Sequence, residues 1–280
     1  MKIIADSGST KTTWVLLMPD GTTETLNSIG LNPLFVTSDK VEEIVNQTFT
    51  GIDTGLVKEV YFYGASCSSS ERCAIISTGL AKVFFNAEIE VDHDMLAAAR
   101  ALFSEQKGIA MIFGTGSNSC IYNGKEIIEN IPALGYILGD EGSGAFFGLQ
   151  LIKDFLNNEM PETLSEKLKE TYHLDKDTII TSVYKDPFPN RYLAHFAPFL
   201  SQYIDNKYVS EMLITGFDLF FTRHILPYPD YRGYPLGCIG SVGYYLKAIL
   251  KLVAQKHQLH LTTIEKSPVE GLINFHKKNR

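Results

Sequence analysis

Short runs of alternating hydrophobic and polar residues open the chain, and longer amphipathic segments follow them. A two-residue period is typical of β-strands and a period of three to four residues is typical of helices. Pro19-Asp20-Gly21 is a turn sequence between two such runs. The patterns predict strands at 2–5, 12–18, 22–27, 60–63 and 89–92 and helices at 41–49, 72–84 and 95–103. The predicted order of elements is therefore βββαβαβα.

The same pattern begins again at Gly108, where an apolar run leads into a glycine-rich turn. The segment KIIADSGSTKTTWVLLMPDGTTETL matches GIAMIFGTGSNSCIYNGKEIIEN element by element, because each reads as strand, Gly/Ser/Thr turn, strand, tight turn and strand. A repeat at this spacing predicts two related lobes rather than a solenoid of short repeats. We expect an N-terminal lobe over 1–107, joined by the terminal helix 267–280, and a C-terminal lobe over 108–266.

The region after the second copy is predicted to be mostly helical, from about 142 to 226. Strands at 236–239 and 259–264 then bracket a helix predicted over 242–256. The aromatic residues Phe217, Phe220 and Phe221 have helical spacing. We therefore interpret them as core residues rather than as a surface for stacking bases.

Composition and charge exclude several classes of protein. Of the 280 residues, 45% are hydrophobic and 20% are charged, as in globular proteins. The net charge of −7 excludes a surface for nucleic acid or an anionic membrane, which needs clustered Lys and Arg. No segment is long and apolar enough to span a bilayer, and the apolar run that ends at Asp6 is too short for a secretion signal. With four cysteines interpreted as reduced thiols, we expect a cytoplasmic protein, and a homodimer stays open.

Two polar turns carry the candidate chemistry. In the first, residues 6–12 (DSGSTKT), glycine allows a tight backbone, while N–H groups, hydroxyls and Lys11 can meet a phosphate. Asp6, at the end of its strand, is placed to hold Mg²⁺ through water. By itself this turn is explained equally well as a polar hairpin turn. The second copy has a turn of the same composition at 114–118, and the matched pair favours phosphate binding.

Five stretches together resemble a known family. They are DSGSTKT at 6–12, GLN at 30–32, VDHDMLAAA at 91–99, FGTGSNS at 113–119 with LGDEGSG at 138–144, and IGSV at 239–242. The set resembles the N-acetylglucosamine kinase-like family, which also contains the BadF/BadG/BcrA/BcrD ATPases. That family lies within the acetate and sugar kinase, heat-shock-cognate and actin superfamily. The resemblance extends over essentially the whole chain.

The resemblance implies a fold, two cofactors and a role for each matched position. The implied fold is α/β, an actin-like ATPase fold of two duplicated ribonuclease H-like lobes with a cleft between them. The implied cofactors are ATP and Mg²⁺, and the implied substrate is a small sugar. The phosphates of ATP would be held by Ser9, Thr10, Lys11 and Thr12 and by Gly114, Thr115 and Gly116, and adenosine by Gly240 and Ser241. The sugar would be held by Asn32, Asp94, Asn118 and Asp140.

Asp94 is the candidate catalytic base. A hydroxyl that attacks a γ-phosphoryl group needs a carboxylate to orient it and take its proton. Asp94 directly precedes a predicted helix, whereas Asp92 lies within the end of a strand and His93 is interpreted as a solvent-contacting neighbour. The alternative for Asp94 is a helix N-cap, which is common for Asp before an apolar helix. Glu141 is interpreted as a carboxylate near a helix N-terminus and is left outside the catalytic set.

Three functions stay open at this point. The first is phosphorylation of an amino sugar by Mg-ATP, with N-acetylglucosamine and its 6-hydroxyl favoured. The second is an ATPase activator of an iron–sulfur reductase or dehydratase, for which Cys67 and Cys73, six positions apart in a Ser-rich turn, have the wrong placement. The third is a non-catalytic sensor of sugar or nucleotide. The first is favoured because sugar and phosphate positions are both filled, although pocket shape decides which sugar binds.

Overall fold

A computed structural model describes residues 1–8 and 10–278, so the predicted phosphate contact of Ser9 lies outside the described residues. The described chain divides into two compact units. The N-terminal unit comprises Met1–Glu105, Gly124–Glu126 and Pro268–Arg280, and the C-terminal unit comprises Gln106–Asn123 and Ile127–Ser267. The first and the last described residues therefore belong to the same unit.

Five strands form the sheet of the N-terminal unit: β1 (Lys2–Ser7), β2 (Lys11–Leu17), β3 (Thr23–Ile29), β4 (Glu59–Gly64) and β5 (Glu88–His93). Their order across the sheet is β3-β2-β1-β4-β5. β2 is antiparallel to β1 and β3, whereas β1, β4 and β5 are parallel and end in register at Ser7, Gly64 and His93. The central strand β1 buries Ile3, Ile4 and Ala5 in succession, as a strand covered on both faces must.

Helices α1 (Ser38–Thr48), α2 (Ser70–Val83) and α3 (Asp94–Phe103) and a terminal helix (Val269–Lys278) complete the N-terminal unit. The terminal helix packs against α3. The approach is so close that a Cβ atom on Gly271 would lie 2.4 Å from the carbonyl oxygen of Ala101. Glycine is therefore required at this position.

Buried polar contacts fasten the terminal helix to the sheet. The ring of His276 stacks on Tyr61 with centroids 3.9 Å apart, and its Nε2 lies 2.9 Å from Oη of Tyr63. The same Oη accepts a hydrogen bond from Nη1 of Arg100 at 2.6 Å, so its own proton is directed to His276. Burial, with the positive charges of Arg100 and Lys2, lowers the pKa of His276 to about 3. The imidazole is therefore a neutral acceptor near neutral pH.

The sheet of the C-terminal unit repeats that of the N-terminal unit. Its strands are β6 (Gly108–Phe113), β7 (Ser117–Tyr122), β8 (Ile127–Glu129), β9 (Leu236–Ile239) and β10 (Leu261–Glu265), in the order β10-β9-β6-β7-β8. β6 is antiparallel to β7 and parallel to β9, as β1 is to β2 and β4. The predicted α/β class and the predicted duplication are confirmed.

The helices of the C-terminal unit are α4 (Gly135–Leu138), α5 (Gly144–Leu156), α6 (Glu162–Tyr172), α7 (Lys176–Tyr184), α8 (Pro189–Ala194), α9 (Ala197–Gln202), α10 (Lys207–His224), α11 (Ser241–Tyr245) and α12 (Lys247–Lys256). The predicted single helix over 242–256 is thus two helices, because the backbone of the buried Leu246 leaves the helical region (φ −98°, ψ 19°). Phe217, Phe220 and Phe221 are fully buried, which confirms them as core. No helix in the described ranges is both long and apolar enough to cross a membrane.

Candidate active site

Two buried hydroxyl groups, those of Ser7 and Thr12, support the turn between β1 and β2 through hydrogen bonds. The hydroxyl of Thr12 donates to the carbonyl of Ile29 at 3.1 Å and lies 2.7 Å from the hydroxyl of Ser7. Ser7 in turn accepts from the backbone N–H of Leu31 at 3.0 Å. The side chain of Thr12 is 0% exposed, so it supports the turn and does not present its hydroxyl to a ligand, contrary to the prediction. Thr10 and Lys11 are exposed on the same turn.

Asp6 and Asp94 lie at the edge where the parallel strands of the N-terminal unit end. Asp6 is next to the last residue of β1, and Asp94 follows directly after β5. Burial, followed by repulsion from Asp94, raises the pKa of Asp6 to about 7. Burial also raises the pKa of Asp94, although His93 and the backbone N–H groups of Asp94 and Met95 oppose the rise. Burial therefore disfavours the charged form of both carboxylates, and the charge of Asp94 adds to this effect at Asp6.

Asp94 is the first residue of α3 and not its N-cap. The N-cap position is taken by His93, whose side chain makes no capping hydrogen bond. The N-cap position therefore belongs to His93, although the carboxylate of Asp94 interacts with the first backbone N–H groups of α3, those of Asp94 and Met95. Asp94 as a residue is half-buried, and burial is the main cause of the raised pKa of its carboxylate.

The Asp6–Asp94 pair fits a divalent cation. Neither carboxylate forms an ion pair with a Lys or Arg of the described chain, and a bound cation would offset the burial that raises both pKa values and the repulsion from Asp94 that adds to the rise at Asp6. Within residues 1–8 and 10–278, no three His, Cys, Asp or Glu side chains are grouped to hold a metal. Mg²⁺ suits such a place, because it keeps several waters and binds through one or two carboxylates together with substrate phosphates.

Asn32 connects two loops of the N-terminal unit. Its amide nitrogen donates to the hydroxyl of Ser66 at 3.1 Å, and its amide oxygen accepts from the N–H of Leu34 at 3.0 Å. The side chain is buried, at 3% exposure. Asn32 therefore has a structural role in addition to the sugar contact predicted for it.

The second turn, Gly114–Gly116, is held by a helix terminus rather than by hydroxyls. The first backbone amides of α5 donate to it, from Gly144 to the carbonyl of Gly114 at 2.9 Å and from Ala145 to that of Thr115 at 3.0 Å. The N–H groups of Thr115 and Gly116 have no partner among the described residues. The turn therefore has its carbonyl groups bound and keeps two amides for an anion.

A cavity of about 560 Å³ opens beside this turn, entirely within the C-terminal unit. Gly114, Thr115 and Ser241, three residues predicted to bind the nucleotide, line it together. Its other walls come from α8, α9 and α11 and include Ser201, Gln202 and Lys266. The volume lies in the range of small-molecule sites, about 300 to 1,000 Å³.

Gly240 does not line this cavity. Its φ is +122°, and a Cβ atom there would lie 2.2 Å from the carbonyl oxygen of Phe113. The packing of β9 against the end of β6 is therefore sufficient to require this glycine, and the adenosine contact predicted for it stays a prediction.

Asp140 lies against the second turn. Its Oδ1 is 3.5 Å from the backbone nitrogen of Ser117, and its Oδ2 lies 3.0 Å from where a Cβ atom on Gly116 would be. Burial raises the pKa of Asp140, and the charge of Glu141 adds to the rise, while the N–H of Ser117 opposes it. Gly116 thus leaves space for the carboxylate of Asp140.

Asn118 is the next residue on β7, and it is held by the neighbouring hairpin. Its amide oxygen accepts from Nδ2 of Asn130 at 3.0 Å and from the N–H of Ser119 at 2.9 Å. The predicted sugar contacts Asn118 and Asp140 therefore adjoin the predicted phosphate turn within the C-terminal unit.

Comparison with known proteins gives one decisive relative. No family model matches the chain, and no curated protein matches it. A solved structure, the "Putative N-acetylglucosamine Kinase" of Porphyromonas gingivalis, is 40% identical, covers 100% of this chain and 99% of its own, and superposes with a TM-score of 0.94. The chain belongs to the N-acetylglucosamine kinase-like family.

Two more distant structures share the fold of this N-acetylglucosamine kinase-like protein. A protein of the same description from Chromobacterium violaceum is 16% identical with a TM-score of 0.78, and covers 98% of each chain. A ROK family glucokinase from Streptomyces griseus, in complex with glucose and AMPPNP, is 12% identical with a TM-score of 0.55, and covers 99% of this chain and 98% of its own. The predicted actin-like ATPase fold is confirmed.

The cysteines of this family member do not offer a reactive thiolate at Cys67. The thiol of Cys67 is buried, and burial raises its pKa to about 12. Sγ of Cys73 donates to the carbonyl oxygen of Cys67 at 3.5 Å, so the two residues serve the local turn. A cluster-binding role needs deprotonated thiols, which this environment disfavours.

Sequence reasoning missed the partners of Glu141. Its buried carboxylate accepts hydrogen bonds from Nη1 of Arg223 and from Nε2 of His224. The N-cap of α5 is Ser143, whose hydroxyl accepts from the N–H of Phe146 at 3.1 Å, so Glu141 lies near this helix N-terminus but does not cap it. The only signal in the sequence was the acidic residue within LGDEGSG. Its partners lie more than eighty positions later, and no local pattern marks them as partners.

Proposed function

We propose that this protein is an ATP-dependent sugar kinase that transfers the γ-phosphoryl group of ATP to the 6-hydroxyl of N-acetylglucosamine. The relative described as a "Putative N-acetylglucosamine Kinase" and the glucokinase that shares the fold support the class of reaction. The products would be the sugar 6-phosphate and ADP. The substrates would be a small sugar and ATP.

The position and environment of Asp94 are the observation that carries this proposal. Its carboxylate has a pKa raised by burial and lies directly after the end of a parallel strand, at the first position of α3 rather than at its N-cap. As the base, Asp94 would orient the sugar hydroxyl and accept its proton while the hydroxyl oxygen bonds to the γ-phosphorus and the bond to the β,γ-bridging oxygen breaks. A raised pKa makes the carboxylate a better proton acceptor.

Residues of the C-terminal unit would bind the nucleotide. The unpartnered amides of Thr115 and Gly116 suit phosphate oxygens, and the cavity that Ser241 lines has room for adenosine. In the N-terminal unit, the exposed Thr10 and Lys11 would meet phosphate from their own turn. Mg²⁺ bound near Asp6 would neutralise charge on the phosphates.

Asn32 and Asp94 of the N-terminal unit, and Asn118 and Asp140 of the C-terminal unit, are the groups that we propose bind sugar hydroxyls. The amide groups of the two Asn residues can both donate to and accept from ring hydroxyls, and the carboxylates of the two Asp residues accept strongly from them. The preference for an acetamido sugar is the most specific part of the proposal, and it rests on the descriptions of the relatives as N-acetylglucosamine kinases.

A coupled ADP-release assay across glucose, glucosamine, N-acetylglucosamine and N-acetylmannosamine tests this proposal. We expect N-acetylglucosamine to have the highest kcat/KM. Asp94→Asn, assayed in parallel, measures ADP released by contaminants or by hydrolysis. A higher kcat/KM for glucose would reject N-acetylglucosamine as the substrate and keep the kinase, whereas no sugar-dependent ADP release would reject the kinase.

A further inference from the structure

Glu141 and Asp140 are neighbours in one loop, and Glu141 is the more deeply buried of the two. Its side chain is 3% exposed, and its partners Arg223 and His224 lie at the C-terminal end of α10, with Nε2 of His224 at 3.0 Å. Burial alone would raise the pKa of Glu141, but its own backbone N–H and these two donors hold that pKa below its ordinary value. A buried ionised carboxylate that keeps its charge is a strong tie between the loop and the helix.

The backbone of Glu141 makes a second tie, to the phosphate turn. Its carbonyl oxygen accepts from the hydroxyl of Ser117 at 2.8 Å. Asp140, the preceding residue, has a left-handed backbone (φ 57°), and its carbonyl accepts from the N–H of Ser143 at 3.0 Å. Any rotation of Glu141 would therefore displace the carboxylate of Asp140.

The same end of α10 also supports β7. The carbonyl of His224 accepts from the hydroxyl of Ser119 at 2.8 Å, and Oη of Tyr228 lies 2.9 Å from that hydroxyl and accepts from the N–H of Ile131 at 3.0 Å. Asn118 lies between Ser117 and Ser119, so both neighbours of this predicted sugar contact are tied to Glu141 or to the helix that holds it. One helix end therefore supports both predicted sugar contacts of the C-terminal unit.

We infer that Glu141 is a positioning residue of the proposed sugar site: its contacts with Arg223 and His224 set the place of Asp140, through which it acts. This inference rests on the proposed function, because the sugar contact of Asp140 belongs to that proposal. Glu141 itself need not touch sugar or nucleotide.

Glu141→Gln is the test variant. Glutamine keeps the size but not the charge, and it can contact both Arg223 and His224 only if the imidazole accepts through Nε2 with its proton on Nδ1, a buried atom that has no hydrogen-bond partner among the described residues. We expect kcat/KM for N-acetylglucosamine to fall about tenfold to a hundredfold, as expected when a binding group is misplaced by about 1 Å. The dissociation constant for the sugar, from calorimetry, should rise in parallel.

Asp218→Asn is the matched control. Asp218 also lies on α10 and also bridges a cation and a histidine, Lys256 and His257, each at 2.8 Å, but its carboxylate forms no hydrogen bond or ion pair with the described residues of the loop that contains Asp140. We expect it to lower the melting temperature while kcat/KM and sugar affinity stay within about twofold of wild type. Equal losses of sugar affinity in both variants would overturn the inference, because the effect would then be general loosening.

A double-mutant cycle with Asp140→Asn tests the route of the effect. If Glu141 acts through Asp140, Glu141→Gln should change sugar affinity less than about twofold in the Asp140→Asn background. An unchanged, additive loss would overturn the inference. If Glu141→Gln does not fold, Arg223→Gln replaces it, since Arg223 is 57% exposed and its removal leaves the contact with His224.

The binding measurement separates this inference from the proposed function. A wild type that binds sugar without transferring phosphate would reject the kinase, and the affinities of Glu141→Gln and Asp218→Asn would still decide the role of Glu141. A wild type that binds no sugar of the panel would overturn both.

Discussion

The two units have the same sheet topology, yet their glycine-containing turns are supported in different ways. In the N-terminal unit, buried hydroxyls of Ser7 and Thr12 support the turn from within the sheet. In the C-terminal unit, the first amides of α5 and the carboxylate of Asp140 support it from outside the sheet. Duplicated strands therefore set where a turn lies, and the elements packed on them set which of its groups remain for a ligand.

The contrast extends to the segments between corresponding strands. Between β3 and β4 lies the single α-helix α1, whereas between β8 and β9 lie α4–α10. These added helices provide walls of the 560 Å³ cavity and the partners of Glu141. Carboxylates with raised pKa values occur in both units, Asp6 and Asp94 in the N-terminal unit and Asp140 in the C-terminal unit. The added helices, rather than the carboxylates, therefore distinguish the C-terminal unit.

The largest expected effect is that of Asp94→Asn in the N-terminal unit. The amide keeps the size of the side chain but cannot take the proton of the sugar hydroxyl, so kcat should fall by roughly a hundredfold to ten-thousandfold with a modest change in sugar affinity. Steady-state kinetics with calorimetry measures both. Asp92→Asn, two positions earlier, is the control and should keep kcat. Near-normal kcat in folded Asp94→Asn would move the base elsewhere.

Ser241→Leu tests the role given to the C-terminal unit. A larger side chain would fill part of the cavity beside Thr115, so we expect KM for ATP to rise about tenfold or more while KM for the sugar stays unchanged. Thr181→Leu, at an exposed position on α7, is the control and should leave both values unchanged. A rise in sugar KM alone would contradict the assignment of the cavity to the nucleotide.

The pH dependence of stability should report the terminal helix of the N-terminal unit. The pKa of His276 is about 3 in the fold and about 6.5 in the unfolded chain, so below pH 6.5 only the unfolded chain gains a proton. Unfolding free energy should therefore fall between pH 6.5 and 3, with this one group contributing up to about 1.4 kcal/mol per pH unit. His276→Gln should flatten the slope, measured by thermal denaturation across pH. The exposed His260→Gln should leave it unchanged.

The smallest expected effect separates the two turns directly. Thr12→Val removes a buried hydroxyl, and we expect it to lower the unfolding free energy by about 1 kcal/mol while KM for ATP stays unchanged. Thr115→Val, beside the cavity, should raise KM for ATP with little loss of stability. Denaturant unfolding and ATP titration give both quantities. A Thr12→Val variant with weaker ATP use and full stability would restore the predicted phosphate contact.

Local patterns in the sequence were enough for the strands, most helices and the duplication. Alternation in the segment around Ile3 and Ile4, and helical spacing of Phe217, Phe220 and Phe221, report which faces are buried, and burial is a property of each element taken singly. The motifs also identified Asp94 and the turn at Gly114–Gly116 as candidates, because turn and strand-end residues have positions that the elements around them define.

Only the tertiary structure decided which distant group meets which. Gly240 is needed because of the carbonyl of Phe113, Thr12 is occupied by Ile29 and Ser7, and Glu141 is held by Arg223 and His224. Periodicity along the chain states that a face is covered, but hydrogen bonds and pKa values depend on the atoms that cover it. Those atoms come from residues far away in the chain, and only folding brings them within 3 Å or so of each other.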